Sequence, residues 1–372
     1  MKFLTKYIFI ETLKTSLGSL LFFVFILLSG NTVRDILDLV AAGKLSLLPA
    51  FYLMLALLPA IISYAMPLGL LSGIFMVIGR MASSGEITAL KSTGLGIVKI
   101  AKPIWFIAML CSLIALVVNF YYGPHSIEIY KHGLHNAVKT NPMKFITPGT
   151  FIDDFPGYLI YCEEMYHGKF YNFHIWEMND HRKITSYGRA RSGILSYDEN
   201  SDSLILALEN GNVEKRPALA PEAFYEKCMP MISYDKLFVH LSLDEIFGHG
   251  NGQSEKISHM DLSKLLSAKK QADLADDKDR SFSISMQLQK NLAMACGVFI
   301  LASLAMALAF MVKRSDNFFH FTLTLGLGIG YYFFMSLLSS VHYFSHGYLL
   351  VWMPNLMLLP VVCWSWRMVL KQ

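Results

Sequence analysis

Apolar residues run along this chain in six long blocks, at roughly 9–33, 50–80, 97–122, 284–312, 317–342 and 347–368. A bilayer core takes about 20 mostly apolar residues per helix, so each block predicts a membrane-spanning helix. Between the third and fourth blocks the pattern changes. "GYLIYCEEMY", the turn "HGK" and "FYNFHIWEMND" read as a hairpin, β-rich runs around a glycine-containing turn. "KITSYGRARSGILSYDENSDSLILALENGNVEK" continues the meander, with "DENSD" and "ENGN" expected as turns, and "MISYDKLFVHLSL" alternates again. Six to ten short strands of this kind predict an all-β sandwich or jelly roll. The segment ends in "SHMDLSKLLSAKKQADLADDKDR", which predicts a short amphipathic helix with Ser258 as N-cap and Asp261 three residues on.

The expected architecture is therefore an α-helical membrane protein with an inserted β domain. Residues 1–123 carry spans one to three, 124–283 the β domain and its linker helix, and 284–372 spans four to six. The first block carries Glu11 and Lys14 near its start, and its apolar heart, Leu17 to Leu28, is short enough for a cleaved signal peptide. No small-x-small cleavage site closes it, so a retained span is expected.

Composition agrees. Hydrophobic residues make up 54% of the 372, mean hydropathy is +0.42, and charged residues are 16% against the ~25% of soluble domains, which excludes a single water-soluble core. The net charge of +4 is too small and too scattered to argue for nucleic acid. Lys2, Lys6, Arg80, Lys91, Lys99, Lys102, Lys313, Arg314, Arg367 and Lys371 cluster on one side of the spans. The loop "HYFSHGY" has no Lys or Arg, and the first loop has only Arg34 and Lys44. The positive-inside rule then puts both termini inside and the β segment, with 18 basic and 23 acidic residues, outside.

Chemistry is sparse. Cys111, Cys296 and Cys363 fall in apolar runs. Cys162 and Cys228 fall in the β segment and could pair there in an oxidising compartment. His167, His174, His181 and His240 lack metal-ligand spacing, and His342 and His346 flank a span, so surface, core or interface histidines are expected. Glu163-Glu164 and Asp153-Asp154 are adjacent pairs, which a strand would send to opposite faces, and this argues against a carboxylate dyad. No cofactor or metal is expected.

One polar stretch stands out between spans two and three: "RMASSGEITALKSTG", Arg80 to Gly94. Lys91-Ser92 follows Leu90 rather than Gly, so it is not a phosphate-cradling Walker loop. Ser83 and Ser84 can cap a turn, Glu86 suits the positive end of a helix, and Gly94 can close it, which predicts a short helix on the cytoplasmic side. A carboxylate there could meet an Arg or Lys of a separate ATPase.

These residues resemble the LptF/LptG permeases of lipopolysaccharide export, in which "GRMASSGEITALKSTG" matches the coupling segment. The resemblance extends over nearly the whole chain: "TKYIFIETLK", "MPLGLLSGIFMVIGRM", "ARSGILSYDENSDSLILALENG", "GYYFFMSLLSS" and "WMPNLMLLPVV" follow in the family's order. It implies three spans, a periplasmic jelly roll and three spans in the inner membrane. It also implies pairing with a second such permease on a cytoplasmic ABC ATPase dimer, with lipopolysaccharide passing through the β domain to a periplasmic bridge. By the same resemblance Ser84, Glu86 and Lys91 are the ATPase-coupling residues. Arg34 matches a base near the lipid phosphates, and spans one and five form the lateral gate. Arg34 also has ordinary roles open to it, as a partner for Asp38 or an interface anchor. Two departures stand out: Asn31 replaces a neighbouring family base, and "QLQKN", Gln287 to Asn291, replaces "ELHKR" at the start of span four. The competing expectations are a membrane-anchored scaffold, which has no need of the coupling segment, and a lipid-modifying enzyme, for which no catalytic constellation is visible.

Overall fold

The computed structural model describes residues 2–41, 43–140, 146–152, 157–179, 183–198, 203–215, 231–242, 257, 259–275, 277–312, 317–339 and 347–371. The Asp153-Asp154 pair, His181, the turn between Asp198 and Ser203, Cys228, Ser258, Lys313, Arg314, His342 and His346 lie outside these residues. The chain divides into two compact units: residues 1–34, 54–128 and 257–372, and residues 35–53 with 129–256.

The first unit is helical. Among the described residues six helices are long and apolar enough to cross a membrane. They are built on α1 (Lys2–Ser29), α4 (Leu58–Ser83), α6 (Ile97–Val117), α9 (Lys278–Phe310), α10 (Asn317–Ser339) and α11 (Met353–Lys371). Span boundaries differ from the expected ones where proline or glycine intervenes. Span one ends at Ser29, and a separate helix, α2 (Asn31–Ala41), follows Gly30. The block expected at 50–80 is two helices, α3 (Leu47–Ala56) and α4, because Pro59 in the first turn of α4 suits a helix start. Span three runs past 122: a π turn, Val118–Tyr122, leads into α7 (Gly123–Thr140), a stretch the periodicity assigned to the β segment.

Spans two and four form the bundle's interior, each about three-quarters buried, whereas span one is 17% buried. Span four fills its place with small residues. With little side chain to cover them, its backbone carbonyls take hydrogen bonds from neighbouring helices. Ser112 Oγ donates to Ala295 O at 2.7 Å, Tyr331 Oη and Asn355 Nδ2 both donate to Ala293 O at 3.2 and 2.8 Å, and Trp366 Nε1 donates to Ser303 O at 3.2 Å. A Cβ at Gly297 would overlap the Tyr331 hydroxyl, so glycine is what admits that phenol. The linker helix, α8 (Leu262–Leu274), packs Leu265, Ala268 and Ala272 against Ile284 of span four. Its N-cap position is Asp261, not the expected Ser258.

Among the described residues the second unit holds an antiparallel sheet of six strands in sequential order. They are β1 (Phe151–Ile152), β2 (Tyr158–Tyr166), β3 (Lys169–Met178), β4 (Ile184–Asp198), β5 (Ser203–Lys215) and β6 (Met231–Ser242). The β2–β3 hairpin closes through His167 and Gly168, φ 48° and 75°, the paired positive angles of a two-residue hairpin turn. One face is a closed apolar core of Ile160, Cys162, Phe170, Phe173, Ile175, Leu195, Leu204, Leu206 and Leu208. Cys162 is a free thiol there, its pKa pushed up to about 11 by burial. Leu39 of α2 packs against the same core, and Lys139 of α7 lies 5.0 Å over the Tyr197 ring.

"ENGN" is not a turn. Asn210 does take the left-handed conformation, φ 52°, but β5 continues through it, because β4 and β6 pair with the residues on both sides. Asn172 does the same in β3 at φ 50°, which slips the alternation so that Phe170 and Phe173, three apart, both face inward. Beside Asn210, Tyr234 crosses Gly211 to donate to Arg189 O at 3.3 Å. A Cβ on Gly211 would sit 2.6 Å from Tyr234 Cζ and collide with that carbonyl. Gly211→Ala is expected to expel the Tyr234 ring and destabilise the β5–β6 pairing by ~1–3 kcal/mol. Hydrogen exchange on the detergent-solubilised chain should then quicken at β6 amides while the spans stay protected. Unchanged exchange at β6 would refute this.

Candidate functional site

The polar stretch after span two folds as a capped helix of two turns, α5 (Glu86–Ser92). Its start differs in detail from the sequence expectation. The N-cap is Gly85, at φ 81°, not a serine. Ser83 Oγ donates to Arg80 O at 3.0 Å, and Ser84 Oγ lies 3.0 Å from Glu86 Oε1, so the serines close the end of span two and hold Glu86. The other end is as expected: Gly94, φ 79°, follows the Thr93 C-cap. Gly94 N–H bonds Lys91 O at 2.9 Å and Leu95 N–H bonds Leu90 O at 3.3 Å, the two hydrogen bonds of a Schellman closure.

The helix is seated by one face. Ile87 is buried in the bundle core and Leu90 packs partly against it, three residues apart on one side. Ser84, Glu86, Thr88 and Ala89 are exposed, and Lys91 is half-buried. A helix this short is marginal by itself, so its caps and the Ile87 anchor are what fix the direction in which Glu86 points.

Span two is tied to span one by contacts the sequence reading did not single out. Arg80 Nη2 meets Glu11 Oε1 at 2.9 Å. A Cβ on Gly73 would sit 2.6 Å from Ser16 N, and one on Gly69 would sit 2.6 Å from Leu20 Cα. The two backbones therefore touch. "GLLSG" in span two was the available signal, a small-xxx-small spacing inside an apolar run.

The departure at "QLQKN" takes a definite structural form. Asn291 and Asn119 exchange bonds: Asn119 Nδ2 to Asn291 O at 3.2 Å, and Asn291 Nδ2 to Asn119 O at 3.4 Å. Gln287 Nε2 donates to Asn291 Oδ1 at 3.1 Å, and Ser63 Oγ donates to Asn119 Oδ1. Asn119 sits in the π turn of span three, where the helical ladder is already irregular. A neutral amide network thus joins spans two, three and four. Gln289 accepts from Trp352 Nε1 at 2.8 Å.

Arg34 lies in α2, not at the end of span one, and its side chain is exposed. Among the described residues no ion pair joins it to Asp38. In the β unit, His174 stacks with Trp176 and Tyr187 and lies 2.7 Å from Tyr187 Oη. Burial, with Arg189 adding to it, lowers its pKa. Among the described residues no three His, Cys, Asp or Glu side chains converge as a metal site.

None of the curated proteins compared with the chain matches it. The family model described as lipopolysaccharide export system permease LptF/LptG matches residues 6–368. With six helices among the described residues long and apolar enough to cross a membrane, an antiparallel sheet inserted in the chain, and a match from near the first residue to near the last, the chain belongs to the LptF/LptG family of lipopolysaccharide export permeases, multi-pass proteins of the inner membrane and transporter components rather than enzymes.

Proposed function

We propose that this chain is one of two permeases that pair on a cytoplasmic ABC ATPase dimer, extract lipopolysaccharide from the inner membrane and pass it through a periplasmic β domain to a periplasmic bridge. The observation that carries this reading is α5: a helix anchored by Ile87, closed at Gly94, with Glu86 exposed in its first turn. Ser84 positions that carboxylate at 3.0 Å, and Lys91 adds a base at the other end of the helix. The distribution of Lys and Arg supports placing α5 and both termini in the cytoplasm and the sheet in the periplasm. Residues 1–123 then carry spans one to three with the coupling helix, 124–283 the conduit with its linker helix, and 284–372 spans four to six.

Within this scheme the apolar face of the sheet carries acyl chains, and photo-crosslinkers at Ile160 or Leu206, both fully buried on it, report lipid in transit. Spans one and five flank the lateral gate. Gly328 of span five packs on Leu68 and Leu71 of span two, whereas Gly326 and Gly330 face open space, a surface suited to a helix of the second permease. Affinity purification of the tagged chain tests the core of the reading. An ABC ATPase and a second permease should come with it, and recovery of the chain alone from gently solubilised membranes would overturn it.

Arg34 is assigned to the lipid phosphates, which its guanidinium matches bidentately. Arg34→Glu is expected to weaken lipopolysaccharide crosslinking and slow release with normal assembly, and Arg34→Lys to recover part of both. Equal lipid crosslinking in wild type and Arg34→Glu would leave the residue an interface anchor.

A further inference from the structure

Arg80 is a joint between three pieces of chain. Its guanidinium holds Glu11 of span one at 2.9 Å. Its carbonyl receives Ser84 N–H at 2.9 Å and Ser83 Oγ at 3.0 Å, closing the turn that leads to the coupling helix. Further along the same seam, Ser19 Oγ approaches Met76 Sδ at 3.9 Å, Ser16 meets Gly73 and Leu20 meets Gly69. These contacts run nine residues along span one, about 14 Å at 1.5 Å per residue.

Two physical facts decide how span one moves. Glycine-seated backbones lose dispersion contact over the whole seam when they separate. Glu11 is one of few acids outside residues 124–283, and parting from Arg80 would leave a carboxylate without its base near the membrane boundary. The opposite face of span one, with Leu13, Leu17, Leu21 and Phe25 exposed, has no such hold. Resting on the coupling role proposed for Glu86, we infer that spans one and two move as one body, with the Glu11–Arg80 pair delivering displacement of the coupling helix to span one. Glu11 and Arg80 are positioning residues in this sense, touching neither nucleotide nor lipid.

The test uses the full complex of chain, second permease and ATPase in nanodiscs, with lipopolysaccharide and ATP. Glu11→Gln keeps the volume and removes the charge. It should retain the ATPase and hydrolyse ATP while releasing roughly two- to five-fold fewer lipids per ATP, the scale of a half-exposed ion pair. The swap Glu11→Arg with Arg80→Glu should recover the ratio. Bridging Ser19→Cys to Met76→Cys with a short bifunctional methanethiosulfonate, in a background lacking the native cysteines, should leave release unchanged because these spans never part. Normal coupling in Glu11→Gln, no recovery in the swap, or a block relieved by reductant each overturns the inference while leaving the export function standing. Failure of the wild-type complex to release lipid overturns both.

Discussion

Gly73→Val is expected to prevent the membrane bundle from assembling. The Cβ alone would overlap the Cα of Ser16 and lie 2.6 Å from its nitrogen, and the γ-methyls of valine have no space beyond. Overpacking by side chains costs ~1–3 kcal/mol when neighbours can shift. Here the neighbour is backbone, fixed in its own helical ladder, so the cost belongs at or above the upper end of that range. The measurement is the yield of monodisperse chain in detergent and its thermal unfolding. Gly73→Ala should show a smaller loss of the same kind. Gly18, in span one with open space where its Cβ would go, is the control: Gly18→Ala should be neutral or mildly stabilising. Equal stability of Gly73→Val and wild type would show that the close approach of the two spans is not real.

Glu86→Ala is expected to leave fold, insertion and pairing intact and to abolish coupling. Glu86 is exposed, and within the chain its side chain meets Ser84. As a helix-start carboxylate it is worth ~0.3–1 kcal/mol to α5, too little to unfold a helix that Ile87 anchors and Gly94 closes. A charged hydrogen bond to a partner base is worth ~1.5–3 kcal/mol, roughly ten- to a hundred-fold in affinity. Retention of the ATPase on the purified chain should fall by about that factor, and lipid export with it. Glu86→Gln separates the two roles, since it still accepts from Ser84 but has lost the charge. If it behaves as Glu86→Ala, the charge is what the ATPase reads. A Glu86→Ala complex that assembles and exports normally would end the coupling assignment.

The six apolar blocks and the inserted β segment were legible because a bilayer imposes a length on its helices and a pleated sheet imposes alternation. Local punctuation was harder. Pro59 divides a single apolar block into α3 and α4, and hydropathy averages over it. Asn210-Gly211 carries a turn's signature and delivers the left-handed residue, yet the ladders on both sides carry the strand onward; tertiary pairing outweighs a dipeptide. In the polar stretch after span two, Glu86, Lys91 and Gly94 were legible as charge and closure, but the capping glycine was missed because serine is the commoner choice and Ser84 turned to Glu86. The Asn119–Asn291 exchange was invisible for another reason. It joins residues 172 positions apart, and the chain announces only that two amides interrupt apolar runs.

Span four also bears on how this bundle tolerates change over time. Beyond its first turns, where Gln289 and Asn291 also use their side chains, the groups it offers its neighbours at Ala293, Ala295 and Ser303 are peptide carbonyls, which no substitution removes. In a saturation library the positions after Asn291 should reject bulk and tolerate exchange among Ala, Ser and Gly, with Gly297, which admits the Tyr331 phenol, holding to glycine. Intolerance to loss of a polar group should instead concentrate on Asn291 and on the donors Ser112, Asn119, Tyr331, Asn355 and Trp366, which lie on three other helices and the π turn. Along that stretch small side chains can exchange while the bonds persist, and the record of its partnerships is written in the helices around it.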